Sequence, residues 1–284
     1  MKRRIFIAFV LVAAAFFVGR QVKRLKGSEQ GAAAGRETRQ SYRLDPGARV
    51  EVRGINGPVE VNTAETDTAD VRVTYSGGGP EDGPRVVVEH RPAELVVRGE
   101  GRGGDFWRWL RGGGDTRVAV TLTVPRRSEV AAKGVNGPVE VGEVEGPVTV
   151  TGVNGRVDVA PAGGRTEVSG VNGNVKLAVT RISSEGLDVK GVNGNVEVFL
   201  RSSLDADLEV RGNNGQVTLN VPNVTMQERE GHSRMRARFG EGGAPISFKG
   251  VNGNVRFDSG AAAASTSSLP PPPPPPPAPR APQH

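Results

Sequence analysis

The chain contains no cysteine. That removes disulfides, thiolate metal sites, a cysteine nucleophile and a lipidated N-terminal cysteine, although it assigns no compartment. Aromatic residues are only 5% of the sequence, and lysine is scarce beside arginine. The three histidines, His90, His232 and His284, have no metal-ligand or triad spacing with another candidate. They read as surface or hydrogen-bonded side chains. Apart from one N-terminal stretch there is no long apolar run. What is abundant is turn chemistry: 40 glycines and 21 prolines in 284 residues. This balance suits turn-rich β structure and leaves little room for long helices.

The net charge is +6, but it is concentrated at the front. Lys2, Arg3, Arg4, Arg20, Lys23, Arg24 and Lys26 lie in residues 1–26 with no acid among them, which leaves the rest of the chain at −1. A neutral body offers no concentrated basic surface for phosphates, so no nucleic-acid partner is expected. Between these basic clusters, Ile5–Val18 is an uninterrupted apolar run of 14 residues. At roughly 1.5 Å per residue it covers about 21 Å, against about 30 Å of hydrocarbon. Residues 1–26 therefore read as an export signal, either cleaved or retained as an anchor that enters the membrane through residues 5–19. The anchor is the preferred reading. The small-residue site Ala13–Ala15 is followed by Phe16 and Phe17, poor signal-peptidase context, and Arg20, Lys23 and Arg24 can snorkel to the interface. Three basic residues before the run and four after it leave orientation nearly balanced.

Residues 27–39 are small and polar and read as a flexible spacer. Residues 260–284 contain the run Pro270–Pro277 and read as a disordered Pro-rich tail.

The stretch 40–259 carries an internal repeat. Seven blocks begin at Gly54 (GINGPVEV), Gly134 (GVNGPVEV), Gly152 (GVNGRVDV), Gly170 (GVNGNVKL), Gly191 (GVNGNVEV), Gly212 (GNNGQVTL) and Gly250 (GVNGNVRF). Their spacings are 80, 18, 18, 21, 21 and 38, in which 38 reads as two units and 80 as four. Each block is flanked by period-2 alternation: Val148/Val150 before and Val157/Val159 after Gly152, Leu187/Val189 before and Val196/Val198 after Gly191. Such alternation places the aliphatic side chains on one face of a strand. Asn-Gly between alternating runs is ordinarily a hairpin signal. A meander explains the corner but not the constant period, whereas a β-solenoid makes the period its circumference. The reading is therefore all-β, a parallel β-solenoid of 18–21-residue coils. Stacked coils would align Asn56, Asn136, Asn154, Asn172, Asn193, Asn214 and Asn252 into a ladder of side-chain amides. The intervals Val61–Val130 and Val221–Pro245, which also alternate, are expected to hold further coils. The Gly250 block runs into the tail with no cap after it, so self-association or partner pairing through that C-terminal coil is expected.

The order of these parts, an early R-V-E-V-R-G-I-N-G-P-V-E-V, then Val118–Pro125, then regular N-G-x-V-x-V units, resembles the bacterial putative-adhesin family of unknown function, over roughly Tyr42–Asp258. The resemblance implies a right-handed parallel β-helix-like fold outside the cytoplasmic membrane, with some relatives linked to envelope stress, and it carries no catalytic residues.

Two further features bear on function. Glu140 and Asp158 occupy one outward position in consecutive units, where a polysaccharide-cleaving β-helix enzyme could place stacked acids. Their column continues in chain order through Lys176, Glu197, Thr218 and Arg256, which reads as charge alternation on a solvated face. Phe106, Trp107, Arg108, Trp109 and Leu110, holding both tryptophans of the chain between glycine-rich flanks, form a candidate binding loop or a plug on the fold. Nothing calls for a cofactor or a metal. The expectation is a non-enzymatic, inner-membrane-anchored or exported module of the bacterial envelope that binds a protein or a glycan. A polysaccharide-cleaving enzyme and an envelope-stress regulator binding a peptide are the alternatives.

Overall fold

A computed structural model describes residues 36–76, 85–100, 117–161, 163–201, 204–230 and 234–259. The apolar run, the tryptophan loop with Phe106, Trp107, Arg108, Trp109 and Leu110, and the Pro-rich tail lie outside the described residues. Everything regular in the described part is strand. The N-terminal third holds β1 (Arg36–Arg43), β2 (Arg49–Arg53), β3 (Val59–Ala64), β4 (Thr68–Ser76), β5 (Arg85–Arg91), β6 (Glu94–Glu100) and β7 (Arg117–Pro125). The middle holds β8 (Glu129–Val135), β9 (Val139–Val144), β10 (Val148–Asn154), β11 (Val157–Pro161), β12 (Thr166–Asn172), β13 (Val175–Val179), β14 (Leu187–Asn193) and β15 (Val196–Leu200). The last part holds β16 (Ala206–Arg211), β17 (Val217–Asn220), β18 (Val224–Glu230), β19 (Arg234–Phe239), β20 (Ala244–Asn252) and β21 (Val255–Ser259). Arg36 to Arg39, read above as spacer, belong to β1, whose eight residues all pair with β4.

Two sheets result. Sheet A has the order β1-β4-β7-β3-β9-β11-β13-β15-β21-β17, and sheet B the order β18-β19-β16-β20-β14-β12-β10-β8-β2-β6-β5. Each Asn-Gly block leaves a strand of sheet B and enters a strand of sheet A, and neighbouring blocks pair in parallel at matching positions, Val150 with Val168 and Val157 with Val175 among them. The antiparallel hairpin suggested by Asn-Gly does not form. The alternating aliphatic positions point between the sheets and are buried in every block except the one at Gly212, where Val217 and Leu219 are only partly covered.

The two glycines of a block serve different ends. Gly170 sits at φ +64°, a left-handed conformation that costs a side chain dearly. A Cβ on Gly173 would stand 2.2 Å from the carbonyl oxygen of Gly155 in the neighbouring block, so the corners can stack this closely only without side chains.

The intervals of 80 and 38 residues behave differently from the expectation. The blocks at Gly54 and Gly134 are immediate neighbours, β2 pairing with β8 and β3 with β9, so no coil lies between them. The chain between them goes outward. β6 and β7 run parallel to β2 and β3 on their far side, while β4 and β5 fold back antiparallel, and β1 closes sheet A. At the other end β18 and β19 form an antiparallel pair beyond β16. The Gly250 block is not terminal either, a correction to the uncapped C-terminal coil inferred from chain order. β20 lies between β14 and β16, and β21 between β15 and β17. The chain thus builds its end layers before it places its last unit. Phe257 is fully buried there, against Phe248 (centroids 5.5 Å) and Phe239 of the end hairpin (5.6 Å).

Candidate functional site

The asparagines at the corner are joined by six side-chain hydrogen bonds that all run one way. Asn136 Nδ2 donates to Asn56 Oδ1 (2.9 Å), Asn154 to Asn136 (3.0 Å), Asn172 to Asn154 (3.1 Å), Asn193 to Asn172 (3.1 Å), Asn252 to Asn193 (3.1 Å) and Asn214 to Asn252 (3.2 Å). Spatial order departs from chain order in the last two. A carboxamide carries both a donor and an acceptor, so it can pair above and below at one spacing, which neither a hydroxyl nor a carboxylate does with fixed polarity. Two positions further on, a second series is built on Asn174, Asn195 and Asn254. Their Oδ1 atoms accept the backbone N–H of Asn195 (3.0 Å), Asn254 (3.0 Å) and Gln216 (2.9 Å). Sequence reasoning missed this series, although the N-G-N spelling of three blocks was its signal.

On the outer face of sheet A, pairing places Glu60, Glu140, Asp158, Lys176, Glu197, Arg256 and Thr218 in one row across seven strands. The Glu140 and Asp158 pairing of the sequence analysis is present, and Arg256 precedes Thr218. A shallow depression of about 450 Å³ opens on this face, lined by Glu140, Arg156, Asp158, Asn174, Lys176, Asn195 and Glu197 with Val175. Arg156 Nε lies 2.7 Å from Asp158 Oδ2, and Lys176 Nζ sits 4.8 Å from the centre of the Phe199 ring. The carboxamides of Asn174 and Asn195 are held by their Oδ1 bonds, which directs their amide groups at fixed positions along the rim. The surface is therefore a rigid array of donors, acceptors and both charges.

The outer face of sheet B is a network of ion pairs. Glu51 is nearly buried beneath Arg49 (3.1 Å), Lys133 (3.1 Å) and Arg53 (3.6 Å). Burial works to raise its carboxyl, but the hydrogen bonds and charges of Lys133 and Arg49 outweigh that and hold it below the usual range. Glu209 is lowered by its hydrogen bond from Arg211, with Arg236 adding to the effect against desolvation. The hydrogen bond that the Lys190 ammonium donates to the Asp188 carboxylate, at 2.6 Å, raises Lys190 above the ordinary lysine value. His90 is engaged structurally, its Nε2 2.8 Å from the Arg43 carbonyl and its ring against Tyr42. Among the described residues no three histidine, aspartate or glutamate side chains converge to hold a metal ion. Among the same residues no helix is long and apolar enough to cross a membrane.

No family model matches the sequence, and no curated protein matches it. Solved structures do. A "putative cell adhesion protein" from Clostridium sporogenes aligns over 79% of this chain and 100% of its own, at 13% identity and a TM-score of 0.43. A "putative adhesin" from Bacteroides fragilis aligns over 79% and 97%, at 9% identity and a TM-score of 0.29. A third, from Parabacteroides merdae, aligns over 79% and 94%, at 12% identity and a TM-score of 0.25.

Proposed function

We propose that this protein is a non-enzymatic β-solenoid on the outer side of the bacterial cytoplasmic membrane, tethered through residues 5–19, that acts as an adhesin-like binding module for an envelope protein or glycan. The observation that carries the reading is the outer face of sheet A. Its side chains are spaced by the sheet itself and project from a rigid scaffold, with carboxamides, carboxylates and cations side by side around an open depression. Such a surface suits an extended polar ligand that is bound along its length and released unchanged. Arg156 neutralises Asp158 within the row, so the neighbouring acids read as parts of a charge array and not as an acid and its nucleophile.

The test is binding of full-length protein to a glycan panel and to envelope proteins of intact cells, with wild type compared to an Asn195→Ala, Lys176→Ala double variant. Loss of binding in the variant, with no substrate consumed by wild type, supports the reading. Release of new sugar ends by wild type, abolished by Glu140→Gln or Asp158→Asn, would replace it with the polysaccharide-cleaving enzyme. Capture of a peptide ligand that the double variant still binds would move the site elsewhere and favour the regulator.

A further inference from the structure

Every one of the seven corners spells Asn-Gly. In that dipeptide the glycine nitrogen is the least hindered backbone nucleophile that a carboxamide one residue earlier can meet, because no Cβ shields it. For the two to react, the carboxamide must leave its hydrogen bonds and the glycine N–H must leave its acceptor. The fold restrains these groups unequally. The N–H groups of Gly57, Gly155, Gly173 and Gly194 each donate to the carbonyl of the asparagine in the adjoining block, at 3.0–3.1 Å. Gly137, Gly215 and Gly253 make no such bond among the described residues. The ladder holds Asn136, Asn154, Asn172, Asn193 and Asn252 through both Nδ2 and Oδ1, whereas its two ends, Asn56 and Asn214, keep one bond each. Taken together, three bonds restrain the corners at Asn154, Asn172 and Asn193, and two restrain those at Asn56, Asn136 and Asn252. Asn214 has a single one, from its Nδ2 to Asn252 Oδ1, and at 3.2 Å it is the longest rung of the ladder. Asn214 is also exposed, in the corner that leads into the edge strand β17.

We infer that Asn214 is a site of spontaneous covalent modification in the folded protein, closing on Gly215 and passing with water to aspartate or isoaspartate. The Gly215 nitrogen bonds to Cγ of Asn214, the Cγ–Nδ2 bond breaks, and Nδ2 leaves as ammonia with the Gly215 amide proton. Water then opens the cyclic imide. Cleavage of its Cγ–N bond gives aspartate, and cleavage of its main-chain carbonyl–N bond gives isoaspartate. One water enters and one ammonia leaves, with no oxidant or reductant required. Each hydrogen bond that must break first slows the reaction a few-fold to about tenfold, so the restraints set the order of the seven corners. Asn214 reacts first, Asn56, Asn136 and Asn252 follow, and Asn154, Asn172 and Asn193 are last. The first conversion also selects the second. A carboxylate at position 214 has no hydrogen to give to Asn252 Oδ1. Asn252 is then left with its one bond to Asn193 and with the unengaged Gly253 N–H, which is the condition in which Asn214 started. Modification therefore enters the ladder at its β17 end and moves inward.

The experiment follows full-length wild type and an Asn214→Ala variant over time in mildly alkaline buffer, folded and in concentrated urea, with peptide mass spectrometry reading the replacement of each side-chain NH2 by OH. In the folded wild type, conversion at Asn214 is expected to lead that at Asn56, Asn136 and Asn252 by at least about threefold, and in urea the seven sites should fall within about twofold of one another. Chains converted twice should carry position 214 together with 252. In the folded Asn214→Ala variant, which removes the donor to Asn252, conversion at Asn252 should quicken at least about threefold while that at Asn136 stays unchanged. A folded wild type in which another corner leads, or in which all seven keep the rates seen in urea, would overturn the proposal. So would a folded variant whose Asn252 converts no faster than it does in wild type.

Discussion

The order of the asparagine ladder can be read by mutation, because chain order and spatial order assign opposite roles to two residues. In chain order Asn252 is the last rung and Asn214 lies inside. In the structure Asn252 is the inside rung, donating to Asn193 and accepting from Asn214, and Asn214 is last. Asn252→Ala therefore removes two hydrogen bonds and splits the chain of amides, whereas Asn214→Ala removes one. A net hydrogen bond is worth about 0.5–1.5 kcal/mol, and these corners are exposed, so water partly replaces what is lost. The expected costs are about 1–2 kcal/mol for Asn252→Ala and about 0.5–1 kcal/mol for Asn214→Ala. Urea denaturation followed by circular dichroism measures both, provided the transition slope is unchanged. Double-mutant cycles sharpen the comparison: Asn193 should couple to Asn252 by about 0.5 kcal/mol or more, and to Asn214 by nothing measurable. Coupling of Asn193 to Asn214, with Asn252→Ala the milder change, would refute the inserted position of the last unit and restore simple stacking in chain order.

Phe257→Ala should cost about 3–5 kcal/mol by calorimetry or urea, since it empties a fully buried site where the last unit meets the end hairpin through Phe239. Gly173→Ala should cost at least about 2 kcal/mol, because its Cβ would collide with the Gly155 carbonyl oxygen at 2.2 Å and the backbone is at φ +155°. Gly47→Ala, with the same sign of φ but nothing near its Cβ, should cost less, about 1 kcal/mol. The lowered Glu51 carboxyl adds stability that is fully present above the unfolded carboxylate range and is lost as pH falls through its folded value. Glu51→Gln should thus be less stable than wild type at about pH 6, with the gap narrowing toward about pH 3 in parallel urea melts.

Local pattern alone determines a good deal of this protein. Period-2 alternation places Val148, Val150, Val157 and Val159 inward, and they are buried, because side-chain direction in a strand is set by the backbone within two residues. The blocks' shared spelling puts like residues in register, and the parallel pairing of Val150 with Val168 follows that spelling. The second amide series was equally local, in Asn174, Asn195 and Asn254, but an Asn after Asn-Gly also suits a hairpin turn, so its meaning depended on having a neighbour above. Which block stacks on which could not be read from the sequence. Blocks that share one pattern are interchangeable partners, since any of them offers the same apolar face, the same corner and the same backbone ladder. The choice among them is made by the connections and by the ends. The long segments between Gly54 and Gly134 and between Gly212 and Gly250 carry antiparallel strands with charged edges, and these are stable only on the outside, where water solvates the charges and no further strand is needed. Sending them outward brings Gly54 against Gly134 and leaves the Gly250 block a gap beside Gly191 in which both its ladders are satisfied. That decision rests on contacts tens of residues apart in sequence, and only the folded chain makes it.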